Sequence, residues 1–272
     1  MKLAVVDMYD GEPNQGMRCI SEIIRDHSHS FDSQVFDVRG KCEVPNSEDF
    51  EVYIFSGGPG NPLVGDPKWE TPYYQLIEDL WQHNLKAKKE DKKHVFFICH
   101  SFQMACHHFN IGEITERKSM SFGTFPVYKT EDGKEETFFQ SLPNPFCVAD
   151  FRSYQLVQLN EAQVNKIGAK ILLREKKRPH VPLERAIMGV RFSEEMIGVQ
   201  FHPEADPDGM ILHFEDEARK KHVIKEHGEE KFFKMIQDLS VLDKIPLTHQ
   251  TILPTFLDNA VKSRFKRQAG NC

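Results

Sequence analysis

Lys93-His94-Val95-Phe96-Phe97-Ile98-Cys99-His100-Ser101-Phe102-Gln103 contains an apolar run, Val95 to Ile98, that stops abruptly at a cysteine. Beyond it Phe102, Ala105, Cys106 and Phe109 recur at helical spacing, so they fill one face of a helix. A strand that breaks into a helix at one Cys has the form of a nucleophile elbow. That turn lifts the side chain clear of the sheet edge, and the helix N-terminus favours a thiolate. A buried strand followed by a core helix with an inert thiol fits this stretch equally well, so the rest of the chain must decide.

Upstream, Leu3 to Asp7 has the short, β-branched composition of a buried strand, and Met8 to Gly16 is a polar loop. Met17, Ile20, Ile23 and Ile24 keep helical spacing, a short strand follows near Gln34 to Val38, and a loop runs through Pro45. Phe50 to Phe55 is a second strong strand, ending in Ser56-Gly57-Gly58-Pro59-Gly60. Asn61 to Glu70, with its prolines and glycine, is expected to be loop, and Tyr73, Leu76, Ile77, Leu80 and Trp81 mark a helix. Strands alternating with helices predict a parallel α/β sheet, doubly wound, with ligands at the C-terminal strand ends.

Downstream the texture changes. Gly112 to Thr130 and Phe146 to Leu159 alternate apolar and polar residues, with Asp132-Gly133 and Pro143 as turns. Ile167 to Arg174 and Ala186 to Arg191 continue that pattern, which predicts shorter, partly antiparallel strands. Met196 to Phe201 is one more buried strand, running straight into His202-Pro203-Glu204. From Asp208 the pattern is helical: about 210–226, about 229–239, and a weaker segment between Thr248 and Phe265 broken or started by Pro254.

With 272 residues, a 39% hydrophobic and 28% charged composition, and a net charge of −6, the chain gives no electrostatic case for nucleic acid or an anionic membrane. The basic runs Lys86 to Lys93, Arg174 to Arg178 and Arg264 to Arg267 are short and interrupted, as solvated faces are. Leu3 to Val6 is too short for a signal sequence and no run has the length of a membrane span, so a cytoplasmic location is expected. The six cysteines (19, 42, 99, 106, 147, 272) form no CxxC pair and are expected to be free thiols.

Three features fall at strand C-termini: a glycine pair, a cysteine and a His-x-Glu. Acyl transfer through sulfur needs a thiolate (Cys99), a base or cationic partner (His202) and an acceptor that orients it (Glu204). It also needs N–H donors for an oxyanion, for which the His100 amide and the Gly58 amide are the natural sources. His-Pro-Glu and Gly-Gly-Pro-Gly each occur for turn reasons alone; their order and placement together carry the signal. Cys99, His100, Cys106, His107 and His108 match no common zinc spacing, so no metal is expected. The glycine loop lacks the Lys-Ser/Thr of a phosphate loop, so no nucleotide cofactor is expected either.

On Ser56-Gly57-Gly58-Pro59-Gly60, Ile98-Cys99-x-x-x-Gln103 and Gly198-Val199-Gln200-Phe201-His202-Pro203-Glu204, the sequence resembles the class I glutamine amidotransferases, which include the glutaminase part of GMP synthetase. The resemblance spans residues 1–206 and implies the flavodoxin-like fold of that family. It implies a Cys99–His202–Glu204 triad that hydrolyses the glutamine side-chain amide through a γ-glutamyl thioester. Gly58 and His100 would form the oxyanion hole, and Gln103, Gly57, Ser153 and Tyr154 would line the substrate. Ammonia would pass to a separate synthetase partner, because no ATP-activating domain is recognised in the chain.

Three positions depart from the family pattern. Phe97 and Ser101 stand where the elbow has glycine, and Tyr154 follows Ser153 where the family has histidine. A ring at 97 requires space from a rearranged neighbour. Two alternatives therefore stay open: a γ-glutamyl peptide or conjugate hydrolase with the same triad, and a catalytically weak ligand-binding or scaffolding protein. Residues 207–272 exceed what the resemblance covers and are expected to pack on the sheet as a helical extension, with a homodimer or partner-docking surface as the alternative.

Overall fold

The structure is a computed structural model that describes residues 1–11, 14–177, 184–239 and 241–269. Arg178 of one basic run and Cys272 lie outside them.

Four short strands with apolar centres explain the central sheet. β1 (Lys2–Asp7), β3 (Val52–Phe55), β4 (His94–Ile98) and β9 (Met196–Val199) are buried almost throughout, as parallel strands covered on both faces must be. With β2 (Asp32–Asp37) at the open edge they align in parallel in the order β2-β1-β3-β4-β9. The four remaining strands are antiparallel: β5 (Glu113–Lys129), β6 (Phe146–Val157), β7 (Lys170–Glu175) and β8 (Ile187–Arg191). They continue the order as β8-β6-β5-β7, and β7 also pairs with β8, so this half curls back on itself. The sheet is thus more evenly divided between parallel and antiparallel strands than an insertion into a mostly parallel sheet implies.

Side chains alternate between two cores with period two. Leu3, Val5, Val52, Ile54, Phe96 and Ile98 face one side, against Ile20, Ile23 and Ile24 of α1 (Gln15–Asp26). Ala4, Val6, Tyr53, Phe55, Val95 and Phe97 face the other, which α3 (Pro67–Lys86) and α4 (His100–His108) cover; the short α2 (Val38–Lys41) follows β2. The remaining short helices are α5 (Glu131–Glu135), where the sequence pattern of Asp132-Gly133 reads as a plain turn, and α6 (Glu161–Ile167).

Three helix boundaries correct the sequence reading. α3 begins inside the expected loop, because Asp66 caps it by accepting the Lys68 amide and Pro67 occupies a first position that needs no N–H. The weak C-terminal segment is instead α10 (Ile245–Ala269), continuous through Pro254. Burial of Ile252, Leu253, Phe256, Leu257 and Ala260 in the first core outweighs the lost backbone bond. Between them, α7 (Pro207–Glu215), α8 (Glu217–His227) and α9 (Glu229–Leu239) place Met210, Phe214, Val223, Phe232, Met235 and Leu239 against Phe122 and Ala149 of the antiparallel half. The single helix expected over 210–226 is broken at Asp216. No described helix is long and apolar enough to cross a membrane.

Candidate active site

Cys99 follows β4, at the C-terminal end of a strand flanked by β3 and β9. Its backbone has φ 48° and ψ −98°, a region that side-chain-bearing residues enter only under strain, at roughly 1–3 kcal/mol. The turn is held on both sides: the Cys99 amide donates to the Val199 carbonyl at 2.8 Å, and the Cys99 carbonyl accepts the Gln103 amide at 3.0 Å. The nucleophile-elbow geometry expected from the sequence is therefore present, with Cys99 only 5% exposed.

The parallel register Ile98↔Val199 sets Cys99 level with Gln200, so the residues leaving β9 pass the thiol. His202 is fixed by donating its amide to the Ala149 carbonyl on β6 at 2.9 Å. Its Nδ1–H donates to Glu204 Oε1 at 2.8 Å, and Glu204 is wholly buried. Burial by itself opposes a charged imidazole. The negative charges of Cys99 and Glu204, with hydrogen bonds to both, outweigh it and hold His202 well above its ordinary value.

The glycine loop is fitted to the same edge. A Cβ at Gly58 would lie 2.5 Å from the Met8 carbonyl oxygen, so only glycine allows this approach. Arg39 reaches across from α2, donating to the carbonyls of Pro59 at 2.6 Å and Met8 at 3.3 Å, while its guanidinium lies over Trp69. Ser56 Oγ accepts the Met8 amide at 2.9 Å and donates to Gly57 O at 2.8 Å. Ser101 Oγ donates to Ser56 O at 2.7 Å. The serine that replaces an elbow glycine thus ties α4 to the glycine loop.

Phe97 finds its space across the sheet. It pairs with Gly198, where a Cβ would lie 3.0 Å from the Phe97 Cβ and 2.8 Å from the Phe102 ring. The ring itself packs between Phe55 (4.8 Å) and Phe192 (5.8 Å). It fills the core beneath α4 rather than the cleft.

A cleft of about 720 Å³ opens at Cys99, lined by Gly58, Pro59, Gly60, His100, Gln103, Met120, Phe122, Phe151, Arg152, Ser153 and Tyr154. It gathers Cys99, Gly58, His100, Gln103, Ser153 and Tyr154 in one place. Among the expected substrate contacts Gly57 is the exception, and His202 and Glu204 also lie outside this lining. A Cβ at Gly57 would lie 2.7 Å from His202 Cε1, so Gly57 makes room for the imidazole and does not line the cleft. His100, buried to 3%, is a cleft wall, and burial with the nearby Arg39 charge pushes its pKa down to about 4. Cys106 is a buried core thiol, and the five described cysteines are free. No group of His, Cys, Asp and Glu able to hold a metal occurs among the described residues.

Several residues of the site have no assignment from sequence alone. Gln200, fully buried, points its Nε2 at Cys99 Sγ (3.8 Å) and accepts from Gln103 Nε2 at 3.0 Å. It lies inside the Gly198–Glu204 motif, and its position immediately after β9 was the available signal. Arg152 and Asp150 form a buried pair at 3.0 Å behind the cleft, with Ser121 donating to Asp150 at 2.7 Å. Nothing local marks Arg39, whose role depends on a long-range approach.

The family model for glutamine amidotransferase class-I matches residues 18–214. Among solved structures, a glutamine amidotransferase from Thermotoga maritima is similar at 16% identity and TM-score 0.69, over 96% of this chain and 98% of its own. A glutamine amido transferase from Methylobacillus flagellatus aligns at 13% identity and TM-score 0.63 over 97% and 93%. The glutaminase domain of Trypanosoma brucei CTPS, solved with bound acivicin, aligns at 16% and 0.54 over 81% and 94%. No curated protein sequence matches. These likenesses support the fold, and the family match, which covers most of the chain, carries the assignment: the protein belongs to the class-I glutamine amidotransferase family.

Proposed function

We propose that the protein hydrolyses the side-chain amide of glutamine, with Cys99 as nucleophile, His202 as proton carrier and Glu204 as its orienter. The observation that carries this reading is the strained Cys99 turn lying beside a buried His202–Glu204 pair at 2.8 Å. The thiolate adds to the amide carbon, and the resulting oxyanion is received by the amides of Gly58 and His100. His202 gives its proton to the departing nitrogen, releasing ammonia and leaving a γ-glutamyl thioester on Cys99. Water, deprotonated by the now neutral His202, attacks the thioester and frees glutamate and the thiolate. Gln103, Ser153 and Tyr154 contact the glutamyl moiety, and the ammonia acceptor is a separate synthetase.

The experiment is treatment with an electrophilic glutamine analogue, with the adduct located by peptide mass spectrometry and Cys99→Ala as control. A Cys99 adduct together with ammonia release from glutamine is expected. An unlabelled Cys99 with no ammonia release would sink the glutaminase reading.

A second reading keeps the triad and changes the leaving group. Met120, Phe122 and Phe151 give the cleft an apolar wall that ammonia does not need. Phe151 lies 5.7 Å from the His202 ring and 4.9 Å from Phe122, so the wall begins at the proton carrier. γ-Glutamyl amides with an apolar amine would use it. Faster turnover of such conjugates than of glutamine would select this reading.

A further inference from the structure

The Glu204 carboxylate is held by very little of its own. Oε1 accepts from His202, whereas Oε2 is buried with no partner among the described residues. Its direction must therefore come from the backbone of the turn that carries it. That turn spans only two residues from His202 to Glu204, so a small rotation of the peptide would swing the carboxylate away from Nδ1.

Outside the turn, a residue of the C-terminal helix reaches this peptide. His249 of α10 lies 2.8 Å through Nδ1 from the Glu204 carbonyl oxygen. A carbonyl can only accept, so Nδ1 carries the proton. The reach of His249 is fixed by its neighbour: Thr248, 2% exposed, donates its hydroxyl to the Cys147 carbonyl on β6 at 2.6 Å. Two residues along the same strand, Ala149 O receives the His202 amide. One strand therefore sets the register of both α10 and the His202 backbone. Below this point α10 is seated by Ile252, Leu253 and Phe256, which are buried, and Phe256 lies 5.2 Å from Phe96 of β4. At the far end of the turn Arg18 clamps Asp206 through two bonds of 2.7 and 2.8 Å.

Building on the triad reading above, we propose that His249 is a positioning residue: it holds the Glu204 peptide so that the carboxylate faces His202, which makes the C-terminal helix part of the catalytic apparatus. It touches neither substrate nor Cys99. Its effect travels through Glu204 to the imidazole, and from there to the ionisation of the thiol.

The test compares His249→Ala with His249→Asn in the full chain, since an asparagine amide nitrogen occupies nearly the place of Nδ1. The main readout is the rate at which iodoacetamide alkylates Cys99 across pH 5 to 9, located by peptide mass spectrometry. It needs no assumption about the natural substrate. Glutamine turnover and thermal melting are measured alongside. For His249→Ala, alkylation at neutral pH should slow by about tenfold or more, with its pH profile moved toward that of an ordinary thiol. The kcat should fall with KM unchanged, and His249→Asn should recover most of both. Either of two results would overturn the proposal: a His249→Ala alkylation profile that overlays the wild type, or equal losses in both variants that track melting temperature. Wild-type Cys99 with the profile of an ordinary thiol would instead remove the triad reading itself, and the proposal with it.

Discussion

Replacing Phe97 by alanine tests how this elbow tolerates an aromatic ring two residues before Cys99. The ring has no exposure, lies between Phe55 and Phe192, and faces α4 on the side of the sheet away from α1. Its neighbour across the strand pair is Gly198, which offers no side chain to collapse into a vacated space. Truncation should therefore leave most of the ring volume empty, at a loss of about 3–5 kcal/mol. For a chain of this size that corresponds to a fall of roughly 6–20 °C in melting temperature. Thermal unfolding followed by circular dichroism measures it directly. The converse change, Gly198→Ala, places a methyl 2.8 Å from the Phe102 ring and 3.0 Å from the Phe97 Cβ, and should lose about 1–3 kcal/mol by overpacking. A Phe97→Ala protein that melts within about 2 °C of wild type would refute the argument, because the ring would then not be what fills this part of the core.

Ser101→Ala leaves the buried Ser56 carbonyl without its hydroxyl donor and should lose about 1–3 kcal/mol, read as a lower denaturation midpoint. Arg39→Ala frees the carbonyls of Met8 and Pro59 and loosens the glycine loop, and should lower labelling of Cys99 by a glutamine analogue by about tenfold. His94 and His100 are both pushed down to about 4, mainly by burial, with Arg191 and Arg39 adding to it. The unfolded chain therefore binds protons between pH 6.5 and about 4 that the folded chain refuses, so stability falls as pH drops through that window. His94→Gln should flatten the fall in melting temperature over this range; an unchanged slope would remove His94 from the account.

What could be read from the residues depended on how local their physics is. Val95 to Ile98 and Met196 to Val199 are apolar runs whose ends are set by the next polar or thiol residue, so the position of Cys99 at a strand exit and of His202 just beyond another was legible, although the second strand ends two residues earlier than expected. The long β5 was less so. Four of its residues bulge between Glu116 and Ser121 opposite the single residue Ser153, and a bulge of that kind follows from pairing, which no local pattern encodes. Pro67 signalled loop, yet the Asp66 cap and the buried face of α3 prevail over it. Gly57 fits the pattern of a ligand loop but serves the imidazole, a role visible only once β3 and β9 flank β4 and their exits reach the same edge. Gln200, Arg39 and His249 act across intervals in sequence of about one hundred, twenty and forty-five residues, beyond the reach of spacing arguments.

The two halves of the sheet supply different parts of the site. The parallel strands carry Cys99, the glycine loop and the His202–Glu204 turn, each at a C-terminal end where strand register fixes it. The antiparallel half supplies the cleft walls, Met120, Phe122, Phe151 and Tyr154, from β5 and β6. Phe122 lies 5.4 Å from Phe214 of α7, and α9 sets Met235 against the same strand pair. The walls thus rest on the C-terminal helices, whereas Cys99 rests on the central strands. The halves meet through the Ala149–His202 bridge and the β8–β9 pairing, and β6 also reaches the elbow itself, where the Phe151 carbonyl lies 3.7 Å from Cys99 Sγ and the Tyr154 carbonyl accepts from Gln103 Nε2 at 3.1 Å. Both elbow contacts use the β6 backbone, so the tyrosine side chain at 154 coexists with an intact elbow.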